Sequence, residues 1–320
     1  MEKLGENFYK VEVPLPGNPL RAVNSYVIKG PERNLIIDTG MNRKECLEAL
    51  QTALAELNID LAVTDFFITH LHADHLGLVG TLKQDGAAVY FNAPDAEFRG
   101  DKDRWDKMIS FARLNGFPEH EVAALMAAHP GLKYRSNEDI DFTILEHGDR
   151  IACGEYDFTC VHTPGHTGGH LCLYEASRKW LLAGDMILGD ITPNIQQWNS
   201  TGRRLERYLQ SLDKLDGMDV DLVLPGHRRL IKDHRGRIAE LKEHHRVRLE
   251  EVLTILAHGP ADAYTVATRM SWDIHPKWES FPVTQKWFAT GEALAHVIYL
   301  YDQRKIKQEE APGRMWYSLP

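Results

Sequence analysis

Four residues that bind metals well fall within one stretch of six: His70, His72, Asp74 and His75, in Thr69-His70-Leu71-His72-Ala73-Asp74-His75-Leu76-Gly77. They follow the apolar run Asp65–Ile68, which reads as a short buried strand. A loop leaving such a strand can turn several side chains toward one point. Imidazole and carboxylate suit a borderline divalent ion such as zinc, with ligand bonds near ~2.0–2.2 Å. His70 and His72, two apart, can converge on one ion, and Asp74 and His75 can face a second.

Three later segments repeat the pattern of apolar run, turn and ligand type. They are His162-Thr163-Pro164-Gly165-His166-Thr167, Ala183-Gly184-Asp185 and Pro225-Gly226-His227. Loops held by a rigid sheet are where sites are normally built. A lone histidine at a strand end is more often a packed or solvated residue, but clustered ligand types at metal spacing rarely arise from packing alone.

These segments resemble the metallo-β-lactamase-fold superfamily, whose signature is H-x-H-x-D-H followed by His, Asp and His. The resemblance covers roughly residues 7–230 apart from a helical insertion, and it implies an α/β protein built as an αβ/βα four-layer sandwich. It also implies roles. His70, His72 and His166 would hold one ion, Asp74, His75 and His227 the other, and Asp185 would bridge both. Asp38, in the Asp38-Thr39-Gly40 turn, would accept a hydrogen bond from a ligand imidazole and fix its tautomer. His162 and His170, each four residues from His166, are candidates for the same supporting position. Two divalent ions, zinc in the first instance with manganese or iron also fitting, bring the pKa of a water down from 15.7 to around ~7. The implied chemistry is hydrolysis by the resulting hydroxide, with Asp74 and Asp185 lowering the net charge and orienting the nucleophile.

The elements that must position these residues alternate. Asn24–Ile28, Leu35–Ile37, Ala88–Phe91, Phe158–His162, Leu171–Tyr174, Trp180–Ala183 and Leu222–Leu224 read as strands. Arg43–Leu57 and Arg203–Leu215 read as helices, the first with Leu47, Leu50, Leu54 and Leu57 on one face. Strands alternating with helices place the chain in the α/β class. The spacing predicts a catalytic domain over residues 1–232, interrupted by an insertion of two or three helices over about 96–140. Residues 233–320 form a mostly helical second domain. Its order is a long helix from His234 stopped at Gly259-Pro260, a short helix near Ala263–Met270, the helix Thr284–Tyr301, and an extended tail turning at Pro312-Gly313. That is the order of a winged-helix module.

Bulk properties agree with a soluble enzyme. Of 320 residues, 43% are hydrophobic and 26% charged, and the net charge of −9 does not favour a nucleic-acid binder. Cys46, Cys153, Cys160 and Cys172 lack a C-x-x-C pair and read as small buried residues. No apolar run reaches the ~20 residues needed to span a bilayer, and MEKLGENFYK has no signal-peptide stretch, so a cytoplasmic location without membrane contact is expected.

Within the resembling superfamily, flavodiiron proteins carry Glu where this chain has His72, antibiotic-degrading relatives lack the bridging carboxylate, and β-CASP nucleases carry a further domain not found here. The remaining group resembles the hydroxyacylglutathione hydrolases with related thioesterases and lactonases, so a small thioester, ester or lactone is the expected substrate. The basic glutathione grip of that group is missing. The winged-helix tail resembles a subset that cuts single-stranded RNA, which makes an endoribonuclease or other phosphodiesterase the alternative. A winged-helix regulator with a degenerate enzyme domain is a third reading, and the complete ligand set argues against it. Residues 234–320 carry 12 basic and 11 acidic residues, and Thr284–Tyr301 has Lys286 as its one Lys or Arg, so a nucleic-acid partner is not expected. The apolar Trp287, Phe288, Leu294, Val297 and Ile298 of that helix read as a wall of the active site or a homodimer contact. His244-His245 reads as solvated or packed, outside the site. In the insertion, Trp105, Met108, Phe111 and Phe117 read first as a small core of its own. The functional alternative makes Trp105, Met108 and Phe111 a lid offering an apolar wall to an acyl chain.

Overall fold

A computed structural model describes residues 1–136, 139–273 and 277–320. Seven strands form a first sheet in chain order: β1 (Glu2–Gly5), β2 (Phe8–Pro14), β3 (Ala22–Ile28), β4 (Asn34–Ile37), β5 (Thr64–Phe67), β6 (Val89–Phe91) and β7 (Thr143–Ile144). It is antiparallel from β1 to β4 and parallel from β4 to β7. Five more form a second sheet: β8 (Arg150–Cys153), β9 (Tyr156–His162), β10 (Leu171–Glu175), β11 (Trp180–Gly184) and β12 (Leu222–Pro225). Their order is β12-β11-β10-β9-β8, with only β11 and β12 parallel. The tail is a hairpin of β13 (Lys307–Ala311) and β14 (Arg314–Ser318).

The helices are α1 (Lys44–Glu56), α2 (Ala73–Leu76), α3 (Val79–Leu82), α4 (Ala93–Gly100), α5 (Arg104–Leu114), α6 (Glu119–Ala128), α7 (Pro130–Lys133), α8 (Arg204–Asp216), α9 (His234–Leu256), α10 (Ala263–Arg269) and α11 (Val283–Asp302). Phe8, Tyr26, Ile37 and Phe67 of the first sheet meet Tyr156, Phe158, Leu173 and Leu224 of the second in one apolar core. Leu50 and Leu54 of α1 cover the outer face of the first sheet. Tyr208 and Leu212 of α8, with Ile238 and Leu241 of α9, cover the second. Helix, sheet, sheet, helix is the four-layer sandwich expected from the sequence.

Three readings change. β1, β2, β7 and β8 lacked a signal, because charged residues interrupt the apolar pattern or, in β7, because only two residues pair. In β2 the chain reads Phe8-Tyr9-Lys10-Val11-Glu12-Val13, and Lys10 is nonetheless buried, its ammonium between Glu2 and Glu12 at 3.1 and 3.2 Å. The insertion begins at Ala93 and holds four helices rather than two or three. Its core is also shared, not its own. Ile109, Phe117 and Leu125 pack on Trp287 of α11, with Trp198 stacked on Trp287 at 3.6 Å. The apolar face of α11 is used up within this chain: Trp287 is buried in this cluster, and Leu294, Val297 and Ile298 in the C-terminal one.

From α9 onward the elements come in the order helix, helix, helix, hairpin, around a cluster that includes Val252, Val266, Leu294 and Tyr317. No helix among the described residues is long and apolar enough to cross a membrane.

His245 of α9 and His296 of α11 are both fully buried, joined at 3.1 Å. Burial pushes His296 down to about 3, against the Glu292 carbonyl that holds its Nδ1–H. Burial, then the neighbouring His296, holds His245 well below its ordinary range. The fold therefore keeps both rings neutral at pH values where the unfolded chain, titrating near ~6.5, is protonated. Below pH ~6.5, and for His296 down to about 3, the unfolded state binds more protons, so stability falls on acidification by up to about 1.4 kcal/mol per pH unit per ring. Urea midpoints at pH 7.5 and 5 should show this loss in metal-stripped protein. The His296→Gln variant should show a shallower loss, and an equal slope would refute the assignment.

Candidate metal centre

The candidate ligands sit beyond the carboxyl ends of strands, on the turns just after them or on the first helix that follows. His70 and His72 lie between β5 and α2, with Asp74 and His75 on α2 itself. His166 follows β9, Asp185 directly follows β11, and His227 lies two residues past β12. Two glycines make room for this convergence. A Cβ on Gly226 would stand 2.5 Å from Asp185 Oδ1 and 2.8 Å from His75 Cε1. Gly184, with φ +47°, brings its backbone against the His170 ring, where a Cβ would lie 2.6 Å from Nε2.

The side chains meet in two triads. His72 Nδ1 lies 3.0 Å from both His70 Nε2 and His166 Nε2. Asp74, His75 and His227 form the second group, with His227 Nε2 at 3.5 Å from Asp74 Oδ2. Asp185 faces both. Its Oδ1 is 3.6 Å from His75 Nε2, and its Oδ2 is 3.6 Å from His166 Nε2 and 3.4 Å from His227 Nε2. Ligands of a tetrahedral ion with bonds near ~2.0–2.1 Å stand roughly 3.3 Å apart, so the spacing fits. His75 Nε2, His227 Nε2 and Asp185 Oδ1 are buried without a hydrogen-bond partner, which is costly unless a cation takes the lone pairs.

Four of the five ligand imidazoles, those of His70, His75, His166 and His227, are oriented from behind. Asp38, in a left-handed conformation at φ 57°, accepts from His75 Nδ1 at 2.7 Å and from the Thr69 amide and hydroxyl. Since the Thr69 hydroxyl donates to Asp38, its oxygen accepts from His70 Nδ1 at 3.0 Å. His166 Nδ1 donates to the Asn194 carbonyl, and His227 Nδ1 to that of Ala22. His170 Nε2 accepts from the Asp185 amide, so its Nδ1 donates to Thr163. His162 touches none of the seven; its Nε2 is buried and unpartnered.

The electrostatics are those of a cation hole. Burial keeps His70, His72 and His166 below the ordinary range, the last near 3, so these rings are neutral and free to ligate. At His75 burial opposes protonation, but Asp38, Asp185 and Asp74 outweigh it and hold the ring well above the ordinary range. Burial likewise opposes charge on His227, and Asp185 and Asp74 raise it to about 10. Asp185 stays ionised despite burial because His227 and His75 face it. The negative side chains thus stabilise positive charge wherever it sits among them.

Sequence reasoning missed Asp95. It follows the Asn92 cap and Pro94 and reads as an ordinary first-turn acid of α4. Its side chain is instead fully buried and accepts from the amides of Leu71 and Gly169 and the Thr167 hydroxyl, at 3.0, 2.9 and 2.8 Å. It ties the His70–His72 loop to the His166 loop. His129 was also missed. Its Nδ1 accepts from the Gly131 amide, and its ring packs on Trp105 at 4.7 Å. Burial, with a smaller contribution from nearby His72, lowers its pKa to about 3. Met108 lies in the same cluster, whereas Phe111 packs against the C-terminal cluster.

Known proteins resemble this chain in sequence and fold. The family model described as "Metallo-beta-lactamase superfamily" matches residues 18–227. A metallo-beta-lactamase family protein from Thermus thermophilus, TTHA1429, superposes with a TM-score of 0.84 at 27% identity, covering 99% of this chain and 100% of its own. The Bacillus subtilis protein "Probable metallo-hydrolase YqjP" is 28% identical over 85% of this chain and 87% of its own. The bovine acyl-coenzyme A thioesterase MBLAC2 is 29% identical over 71% of this chain and 80% of its own.

Proposed function

This chain belongs to the metallo-beta-lactamase superfamily, and from that premise we propose that it is a dinuclear metal-dependent hydrolase whose substrate is an acyl compound, a thioester foremost. The convergence of a three-histidine group and an Asp-His-His group on one shared carboxylate carries this reading. His70, His72 and His166 would hold one ion and Asp74, His75 and His227 the other, with the Asp185 carboxylate facing both groups. When bound, such a pair supplies hydroxide near neutral pH and polarises a carbonyl oxygen. Zinc suits the His-rich set, and manganese or iron share it where available.

The chain's own groups set the conditions. Asp38, Asn194 and Ala22 hold protons on the outer nitrogens of His75, His166 and His227, so that Nε2 lone pairs face inward. Asp74 and Asp185 balance the charge and orient the attacking group. Trp105 and Met108, beside His129, form the apolar wall for the acyl chain, while Phe111 serves the C-terminal core instead. The thioester preference draws support from the bovine relative and from that wall. The C-terminal elements, which follow winged-helix order, back the site as a wall through α11.

A substrate panel tests the reading. Acyl-coenzyme A thioesters, lactones, aryl esters, phosphodiesters and short single-stranded RNA are compared on metal-loaded protein. Thioesters are expected to give the highest kcat/KM, by at least about tenfold, or ~1.4 kcal/mol. RNA cleavage with idle thioesters would overturn it.

A further inference from the structure

The segment between β11 and α8, from Asp185 to Arg203, has no helix or strand, yet it supplies the carbonyl that orients His166. His166 Nδ1 donates to Asn194 O at 3.0 Å. What holds that carbonyl comes from the C-terminal helix. Asn194 Nδ2 donates to Glu292 Oε2 on α11 at 2.6 Å. Three residues on, the Gln197 amide donates to the Gly291 carbonyl at 3.0 Å, and Trp198 stacks on Trp287. The Glu292 side chain is itself buried and fixed. Its Oε1 lies 3.8 Å from Arg248 Nε, and Arg248 Nη1 donates to Glu251 and the Ser271 carbonyl.

We propose that Glu292 is a positioning residue for the metal centre, holding His166 in its ligating orientation through Asn194. The inference rests on the dinuclear reading of the site. It makes α11 part of the centre's support, although no residue of α11 reaches the ligands directly. Partners behind a ligand histidine are worth roughly 10–100-fold in metal affinity.

The test is a zinc competition titration against a chromophoric chelator, with the visible spectrum of cobalt-loaded protein as a second readout. Wild type is expected to bind two equivalents. Glu292→Ala should weaken one of them by about 10–100-fold and leave the other within a few-fold. Glu292→Gln, whose amide oxygen can still accept from Asn194, should recover most of the loss. Asn194→Ala, which keeps the buried carboxylate and its arginine, should reproduce the one-site loss and serves if Glu292→Ala does not fold. Unchanged affinities in the alanine variants would overturn the proposal, and so would equal weakening of both equivalents with no recovery in Glu292→Gln. A wild type that binds no ion would overturn the dinuclear reading itself, and this proposal with it.

Discussion

Asp185→Asn is expected to lower kcat/KM by at least about a thousandfold, roughly 4 kcal/mol of transition-state stabilisation, while the fold survives. Asp185 lies within 3.6 Å of ligand atoms from both triads. Asparagine keeps the shape and removes the charge. One of its ends then presents an N–H toward a cation where a lone pair is required. Two divalent ions held side by side would repel one another, and a shared carboxylate would offset that repulsion. Steady-state kinetics on the best substrate of the panel, beside metal content and circular dichroism, reads the effect. Near wild-type turnover with both ions retained would remove the shared role of Asp185.

The second large effect falls on Asp95. Asp95→Ala should cost about 3–5 kcal/mol of stability, because it strands buried donors that now share one carboxylate. In a protein of this size that is a fall of roughly 5–10 °C in Tm. Two of those donors, the Leu71 and Gly169 amides, belong to loops carrying His70, His72 and His166. Metal affinity should therefore fall together with Tm. Burial raises the Asp95 pKa while Thr167, Arg204 and the two amides pull it down, so its charge is held by those contacts. A variant with unchanged Tm and unchanged metal content would show that the loops are tied elsewhere.

The sandwich and the ligand types were legible because both leave local signals. Apolar runs such as Leu171–Leu173 ending in turns mark buried strands, and ligand residues within six positions mark a loop built for a cation. What sequence did not reveal depends on partners far away in the chain. Asp95 looks like an ordinary first-turn acid of a helix until the His166 loop is folded against it. Trp105 and Phe117 keep helical spacing whether they pack on each other or on Trp287, some 170 residues later, so a shared core reads like a private one. Glu292 is one acid on a mostly apolar helix, and only the course of Asp185–Arg203 gives it Asn194. Strand β2 was hidden by Lys10, whose burial is compensated by two glutamates from different positions in the sheet.

The central claim is that seven side chains from four loops share one pair of cations. Anomalous diffraction at the zinc edge, on zinc-loaded crystals, tests it most directly. The account predicts two peaks roughly 3–4 Å apart, one bonded to His70, His72 and His166, the other to Asp74, His75 and His227, with Asp185 in reach of both. Zinc bound elsewhere, or a single peak that leaves one triad without an ion at saturating zinc, would contradict it.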